Sequence, residues 1–262
     1  MRAALLLLAA AGGLAAQTLE AGFLSEFRRV GANGEIAASD AAGTPREIIS
    51  PALIRNGYTS FQLVVKGPPG ASFMLYIASN PDRVLRPALY RVAGPDRLEP
   101  VKGLSEPGKF NQHGVGLYWL DIWTPAATPV RRIRVEAQLN VGKDFVITPM
   151  ELRVQAGVVP AQGLPAVARP AAGNSAAGPF ALLAQSVCGV APVGAVASPA
   201  AMAAADSLSI LGKIMRNAGQ DMLLARKPAA AANKQAWCDQ PRDAADPETY
   251  LRIRDGIWRA SQ

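Results

Sequence analysis

Arg131-Arg132-Ile133-Arg134-Val135-Glu136-Ala137-Gln138-Leu139-Asn140-Val141 is the stretch that decides the fold. Ile133, Val135, Ala137, Leu139 and Val141 alternate with Arg132, Arg134, Glu136, Gln138 and Asn140. A period of two over this length describes a strand with one dry and one wet face. The strand runs into Gly142-Lys143-Asp144, a turn-forming cluster, and Phe145 to Val154 opens a second apolar segment. The pair reads as a hairpin, with Pro149 placing its second strand at an edge or at a bulge.

The same pattern extends upstream. Tyr58 to Lys66 sets Phe61, Leu63 and Val65 on one face, and Ser72 to Ser79 does so with Phe73, Leu75 and Ile77. Gly67-Pro68-Pro69-Gly70 between them is a turn. Tyr118 to Trp123 alternates again before Pro125 and Pro129, and weaker strand candidates are Phe23 to Val30, Arg46 to Ile49 and Ala88 to Val92. Seven or eight short strands without intervening helical patterns predict a mainly β fold, an antiparallel immunoglobulin-like β-sandwich over residues 17–154. A parallel sheet would need crossover helices that this region lacks.

Two segments carry a family resemblance. Arg55-Asn56-Gly57-Tyr58-Thr59-Ser60-Phe61-Gln62-Leu63-Val64-Val65 and Tyr118-Trp119-Leu120-Asp121-Ile122-Trp123-Thr124-Pro125 resemble the N-terminal β-sandwich of bacterial glycoside hydrolase family 123 and its relatives, over roughly residues 45–154. In that family a catalytic barrel follows the sandwich. A barrel takes about 200 to 250 residues and only about a hundred follow here, so the resemblance implies the fold and not the hydrolase activity.

The ends of the chain have a different character. Arg2 precedes the apolar run Ala3 to Ala11, too short to span a bilayer, and Leu14-Ala15-Ala16 before Gln17 resembles a small-residue cleavage site. Residues 1–16 are therefore expected to be a signal peptide for a secreted or periplasmic protein. No cysteine follows the run, so no lipid anchor is expected, and no second apolar stretch reaches spanning length. Removing Arg2 leaves 26 basic against 20 acidic side chains, a net charge of +6.

Residues 155–179 are rich in Ala, Pro and Gly and read as a linker. Residues 180–262 read as a small helical segment. Ser198-Pro199 is a helix start, Leu208, Leu211, Met215 and Met222 form one apolar stripe, and Gly219 is expected to interrupt or end that helix. Asp246-Pro247-Glu248 caps a second helix carrying Tyr250, Ile253 and Ile257, with Trp258 beside them. Two such helices bury little alone, so they should dock on the sandwich, dimerise or be stapled. Cys188 and Cys238, in an exported chain, are expected to form that staple, worth about 4 kcal/mol in the chain-entropy model.

Chemistry is scarce. One histidine and two cysteines cannot supply a zinc site at any usual spacing. A serine triad would have to use His113, whose setting, Asn111-Gln112-His113-Gly114, reads as an exposed connection between strands, and no Gly-x-Ser-x-Gly elbow is present. Gly114-Val115-Gly116 precedes a strand, whereas a dinucleotide fingerprint opens a helix. No cofactor and no metal are expected, and no catalytic residue is assigned. Asp121, Glu136, Asp144 and Glu151 are the carboxylates available for glycoside hydrolysis. Glu136 alternates outward and Asp144 belongs to a turn.

Two constellations suit binding. Trp119 and Trp123 share the face opposite Tyr118, Leu120 and Ile122, with Asp121 between them, which suits a sugar ring, a partner's edge or a cover of docked helices. Arg132 and Arg134, with Arg131 and Lys143, suit an anionic polysaccharide or membrane surface, or a solvated strand face guarded against edge pairing. Nucleic acid is not expected, because the positive charge is scattered and the compartment is wrong. The function expected is a non-catalytic binding or assembly module for a protein or carbohydrate partner; the alternatives are a small or accessory carbohydrate-active protein and a structural envelope protein.

Overall fold

Alternation of dry and wet residues builds two sheets of five strands each, and their inner faces close on one apolar core. The computed structural model describes residues 18–26, 28, 30–36, 51–80, 83–160, 208–224 and 254–259. The expected signal peptide, the Arg46 to Ile49 strand, the helix starts at Ser198-Pro199 and Asp246-Pro247, both Cys188 and Cys238, and the expected linker beyond Pro160 lie outside the described residues; residues 155–158, expected to open that linker, instead continue β10.

The strands are β1 (Glu20–Ser25), β2 (Ala52–Arg55), β3 (Gly57–Lys66), β4 (Ser72–Asn80), β5 (Arg86–Val92), β6 (Leu98–Pro100), β7 (Ser105–Lys109), β8 (Val115–Thr124), β9 (Arg132–Val141) and β10 (Asp144–Val158). The first sheet has the order β1-β3-β8-β5-β6 and the second β2-β10-β9-β4-β7. Pairing is antiparallel except between β2 and β10, which run parallel. Phe61, Leu63, Leu120 and Ile122 of the first sheet meet Leu75, Ile77, Val135 and Leu139 of the second, all buried.

The deciding stretch forms the hairpin that its alternation predicts. Asp144 pairs with Val141, leaving Gly142-Lys143 as a two-residue turn. Gly142 takes φ +59 while Lys143 stays out of the left-handed region, the pattern of a II′ turn. Pro149 does not bulge this ladder, because β9 and β10 stay in register from Asp144 to Arg153. The reason lies on the other side of β10. Strand β2 joins only at Arg153, so Pro149 sits where β10 has no second strand neighbour among the described residues, and its missing N–H interrupts nothing.

The Arg55-Asn56-Gly57 stretch is the corner between the sheets. Asn56 adopts φ 55, a left-handed conformation open to few residues besides Gly, Asn and Asp. This turns the chain from β2 in one sheet to β3 in the other. The Asn56 amide donates to the carbonyl of Val159 at 2.7 Å, and the Val159 N–H donates to the Arg55 carbonyl at 2.9 Å. The corner thereby fastens the end of β10.

Helix α1 (Ile210–Leu224) covers part of the outer face of the first sheet, and a helical turn α2 (254–259) packs beside it at the ends of β2 and β10, where Ile257 and Trp258 meet Ile54 and Val159. Asp96, from the turn between β5 and β6, caps α1. Its carboxylate accepts from the Leu211 N–H at 2.7 Å, and Ser209 Oγ accepts from the Gly212 N–H at 3.0 Å. One expectation about this helix is corrected. Gly219 neither ends nor interrupts it, since anchors on both flanks, Arg216 and Gln220, outweigh a glycine cost of about 1 kcal/mol. Of the expected apolar stripe, the side chains of Met215 and Met222 lie outside the described residues. Leu208 precedes the helix and is 46% exposed, while Lys213, Asn217, Gln220 and Asp221 are buried. At the far end Leu224, Ile257 and Trp258 close on Ile54 and Val159, and Ile214 is buried nearer the start of the helix.

A Cβ at Gly57 would lie 2.7 Å from Ile54 Cγ2 and 3.0 Å from Val159 Cγ2, whereas one at Gly22 meets nothing within 4 Å. Gly57→Ala should therefore lower unfolding free energy by about 1–3 kcal/mol, and Gly22→Ala should change it by less than about 0.5 kcal/mol. Chemical denaturation of both variants decides the matter; equal losses would refute the close corner.

Candidate functional site

The chemistry-bearing side chains gather where α1 and α2 meet the first sheet. Strand β1 pairs with β3 only as far as Ser25 opposite Phe61, which leaves the backbone of Tyr58 and Ser60 without a strand partner on that side. Side chains complete the ladder. Glu26 Oε2 accepts from the Ser60 N–H at 3.1 Å. The Gln220 amide accepts from the Tyr58 N–H at 2.8 Å and donates to its carbonyl at 3.0 Å. Buried backbone groups must be paired, so the edge of β3 dictates polar residues on the helix that covers it.

Asp121, on the outward side of β8, is the centre of the arrangement. Arg216 forks onto both of its oxygens at 2.8 and 2.9 Å, Lys213 Nζ donates at 2.9 Å, and the Ser60 hydroxyl donates at 2.5 Å. Every oxygen therefore accepts two donors. The cations are backed by rings, with Lys213 4.0 Å from the centroid of Tyr90 and Arg216 3.7 Å from that of Tyr58. Burial by itself would raise the Asp121 carboxyl; Arg216, then Lys213 and Ser60, more than reverse this and hold it down at about 2.

A second knot joins the two ends of the chain. Arg254 of α2 donates to Glu26 and to Asp221, each at 2.8 Å, and the Trp258 indole N–H donates to Asp221 at 2.8 Å. Asn217 ties the knots together, donating to Glu26 at 2.7 Å and to Ser60 Oγ at 2.9 Å. Burial pushes the Glu26 carboxyl up, against the pull of Arg254. With its lone pairs saturated and its proton affinity depressed, Asp121 is set up as a fixed counter-ion. A general acid or base needs a free position and an affinity near the working pH.

The residues singled out from sequence divide between the two outer faces. Trp119 is buried, Asp121 is buried against α1, and Trp123 is half-buried with its ring 4.7 Å from that of Tyr58. Arg132 and Arg134 lie on the outer face of the second sheet, paired with Glu151 at 2.5 Å and Glu136 at 2.6 Å. Asp121 is thus separated from Glu136 and Glu151 by the whole apolar core, and no shared cleft joins it to either. His113 is exposed in the turn before β8, as its flanking sequence predicts. Sequence reasoning missed Glu26, Ser60, Lys213, Arg216, Asn217, Asp221 and Arg254. The available signal was Lys213-x-x-Arg216-Asn217-x-x-Gln220-Asp221, a polar series at helical spacing.

The second sheet keeps its outer face open. Met74 and Tyr76 of β4 are 41% and 43% exposed, and Phe145 and Ile147 of β10 are 67% and 43% exposed. Between them lies β9, whose Asn140 pairs in register with both Met74 and Phe145, and whose Gln138 pairs with Tyr76 and Ile147. Two apolar pairs therefore flank two amides, and the Arg134–Glu136 and Arg132–Glu151 ion pairs follow further along the same face.

No family model matches the sequence, and no curated protein does. Solved structures show partial likeness. A family 123 glycoside hydrolase from Clostridium perfringens shares 11% identity at a TM-score of 0.37, covering 55% of this chain, which spans only 28% of that enzyme. PapD-like domain 7 of human CEP192 shares 10% at 0.26, over 42% of this chain and 84% of that one. SSP-19, an MSP-domain-like protein of Caenorhabditis elegans, shares 9% at 0.25, over 40% and 94%. At these values no activity, ligand or partner carries across. Among the described residues, no group of three or more His, Cys, Asp or Glu could hold a metal ion, and no helix is long and apolar enough to cross a membrane.

Asp121→Asn removes the counter-charge of two buried cations and should cost about 3–5 kcal/mol in denaturant unfolding. Glu26→Gln should cost less, because Arg254 keeps Asp221 and burial already disfavours the Glu26 charge. The sign of the pH effect follows from Asp121. Its carboxyl falls from 3.8 to about 2 on folding, so its contribution is complete above the higher value and is lost as pH drops toward the lower. The stability gap between wild type and Asp121→Asn should narrow by about 2 kcal/mol across that window. A gap independent of pH there would contradict the pairing.

Proposed function

We propose that the chain is an exported, non-catalytic binding or assembly module that meets a protein partner through the outer face of its second sheet. The observation that carries this reading is the asymmetry of the sandwich. One outer face is covered at its centre by α1, which is bonded to Tyr58, Ser60 and Asp121, while the other leaves Met74, Tyr76, Phe145 and Ile147 in water. Antiparallel sheets ordinarily turn polar side chains outward on a solvated face. Met, Tyr, Phe and Arg on one face, with few uncompensated charges, is the composition of a protein contact surface. Export rests on the sequence of residues 1–16.

A photo-crosslinking residue in place of Tyr76, in the host that exports the chain, should give a discrete protein adduct. The same residue in place of the exposed Arg97, in the turn between β5 and β6, should not. Adding Phe145→Lys should remove the adduct. Equal labelling from both positions, or an adduct indifferent to Phe145→Lys, would overturn the reading. The exported form should begin at Gln17 by intact mass; an unprocessed chain confined to the cytoplasm would refute export.

A further inference from the structure

Resting on that reading of the open face, we infer that its partner is a second copy of this chain, docked face to face about a two-fold axis that runs along β9. The pattern of the patch supports this occupant. In one row across the sheet, Met74 stands two strands from Phe145, with Asn140 between them; in the next, Tyr76 stands two strands from Ile147, with Gln138 between them. Each row thus carries one aromatic and one aliphatic side chain, and the aromatic changes sides from row to row. Neighbouring strands lie about 4.8 Å apart, so the two flanks are about 10 Å apart.

A two-fold axis along β9 lays β4 of one copy over β10 of the other and keeps each row on itself. Met74 then meets Phe145 of the second copy, a sulfur–aromatic contact, and Tyr76 meets Ile147. No aromatic is set against its own copy. On the axis the amides meet themselves, which suits groups that both donate and accept. The side chains of Arg134 and Glu136, and of Arg132 and Glu151, are already paired within one chain, so the rim is nearly neutral toward its copy. Sheets packed face to face twist away from each other beyond the contact, which leaves those charges in solvent. The surface is self-complementary, as a closed two-fold interface requires. Four apolar side chains make a small contact, so the dimer belongs with weak interfaces, with a Kd on the order of 1–100 µM.

Sedimentation velocity of the full chain across that range should show a reversible monomer–dimer equilibrium. Phe145→Lys and Met74→Lys should each weaken it at least about tenfold without changing the far-ultraviolet circular dichroism or the thermal midpoint. Orientation is tested by mixing Met74→Cys protein with Phe145→Cys protein and adding a short bis-maleimide, with peptide mapping restricted to the introduced thiols. Links between position 74 of one copy and position 145 of the other should dominate. A chain monomeric throughout, a dimer indifferent to both lysines, or links that join each position mainly to its own copy would overturn the inference. A monomer that still gives a Tyr76-dependent adduct with a different protein would overturn only the second-copy partner and leave the open face as a binding surface.

Discussion

The carboxylate of Asp121 holds the molecule in its present form. It projects from the outward side of β8, where a sheet exposed to water would tolerate any polar residue, and it is met there by Lys213, Arg216 and Ser60. Two cations and one anion at a dry interface are expensive unless every donor and acceptor is matched. Matching is achieved by aromatic backing from Tyr58 and Tyr90 and by the bidentate fork of Arg216. The position of α1 follows from those contacts, and the position of α2 follows from α1 through Asp221.

An interface of this kind is specific before it is strong. Apolar faces slide with small loss, whereas moving α1 by one turn would strand Lys213 and Arg216 away from Asp121 and leave the backbone of Tyr58 without Gln220. The helices are therefore part of the sandwich's wall, with α1 covering the centre of the first sheet's outer face around Tyr58, Ser60 and Asp121. Its counterpart remains open, with apolar side chains around amides. Covering one face and leaving the other gives the chain a direction, and the proposed binding role rests on that asymmetry.

The β9–β10 hairpin was legible because period-two alternation and a Gly142 turn are local signals. Strands β6 (Leu98–Pro100) and β7 (Ser105–Lys109) were not, being three and five residues long and containing Pro100, Pro107 and Gly108. Their place is set by Tyr90 and Met74 across the ladder and not by their own sequence. Alternation also set Asp121 on the face of Trp119 and Trp123, yet its partners stand 92 and 95 residues away, and Glu26 is 228 residues from Arg254. Periodicity read on apolar residues favoured Leu208, Leu211, Met215 and Met222. Lys213, Arg216, Asn217 and Gln220, which bond to the sheet, are polar, so a search for greasy spacing looks past them.

Hydrogen–deuterium exchange of the intact chain tests most directly whether α1 belongs to the sandwich. Amides of residues 213–224 should exchange in the same slow class as those of β3 and β8, opening only when the sheet opens. Exchange of those helix amides at rates near those of an isolated peptide, while β3 and β8 stay protected, would contradict a helix locked to the sheet through Asp121.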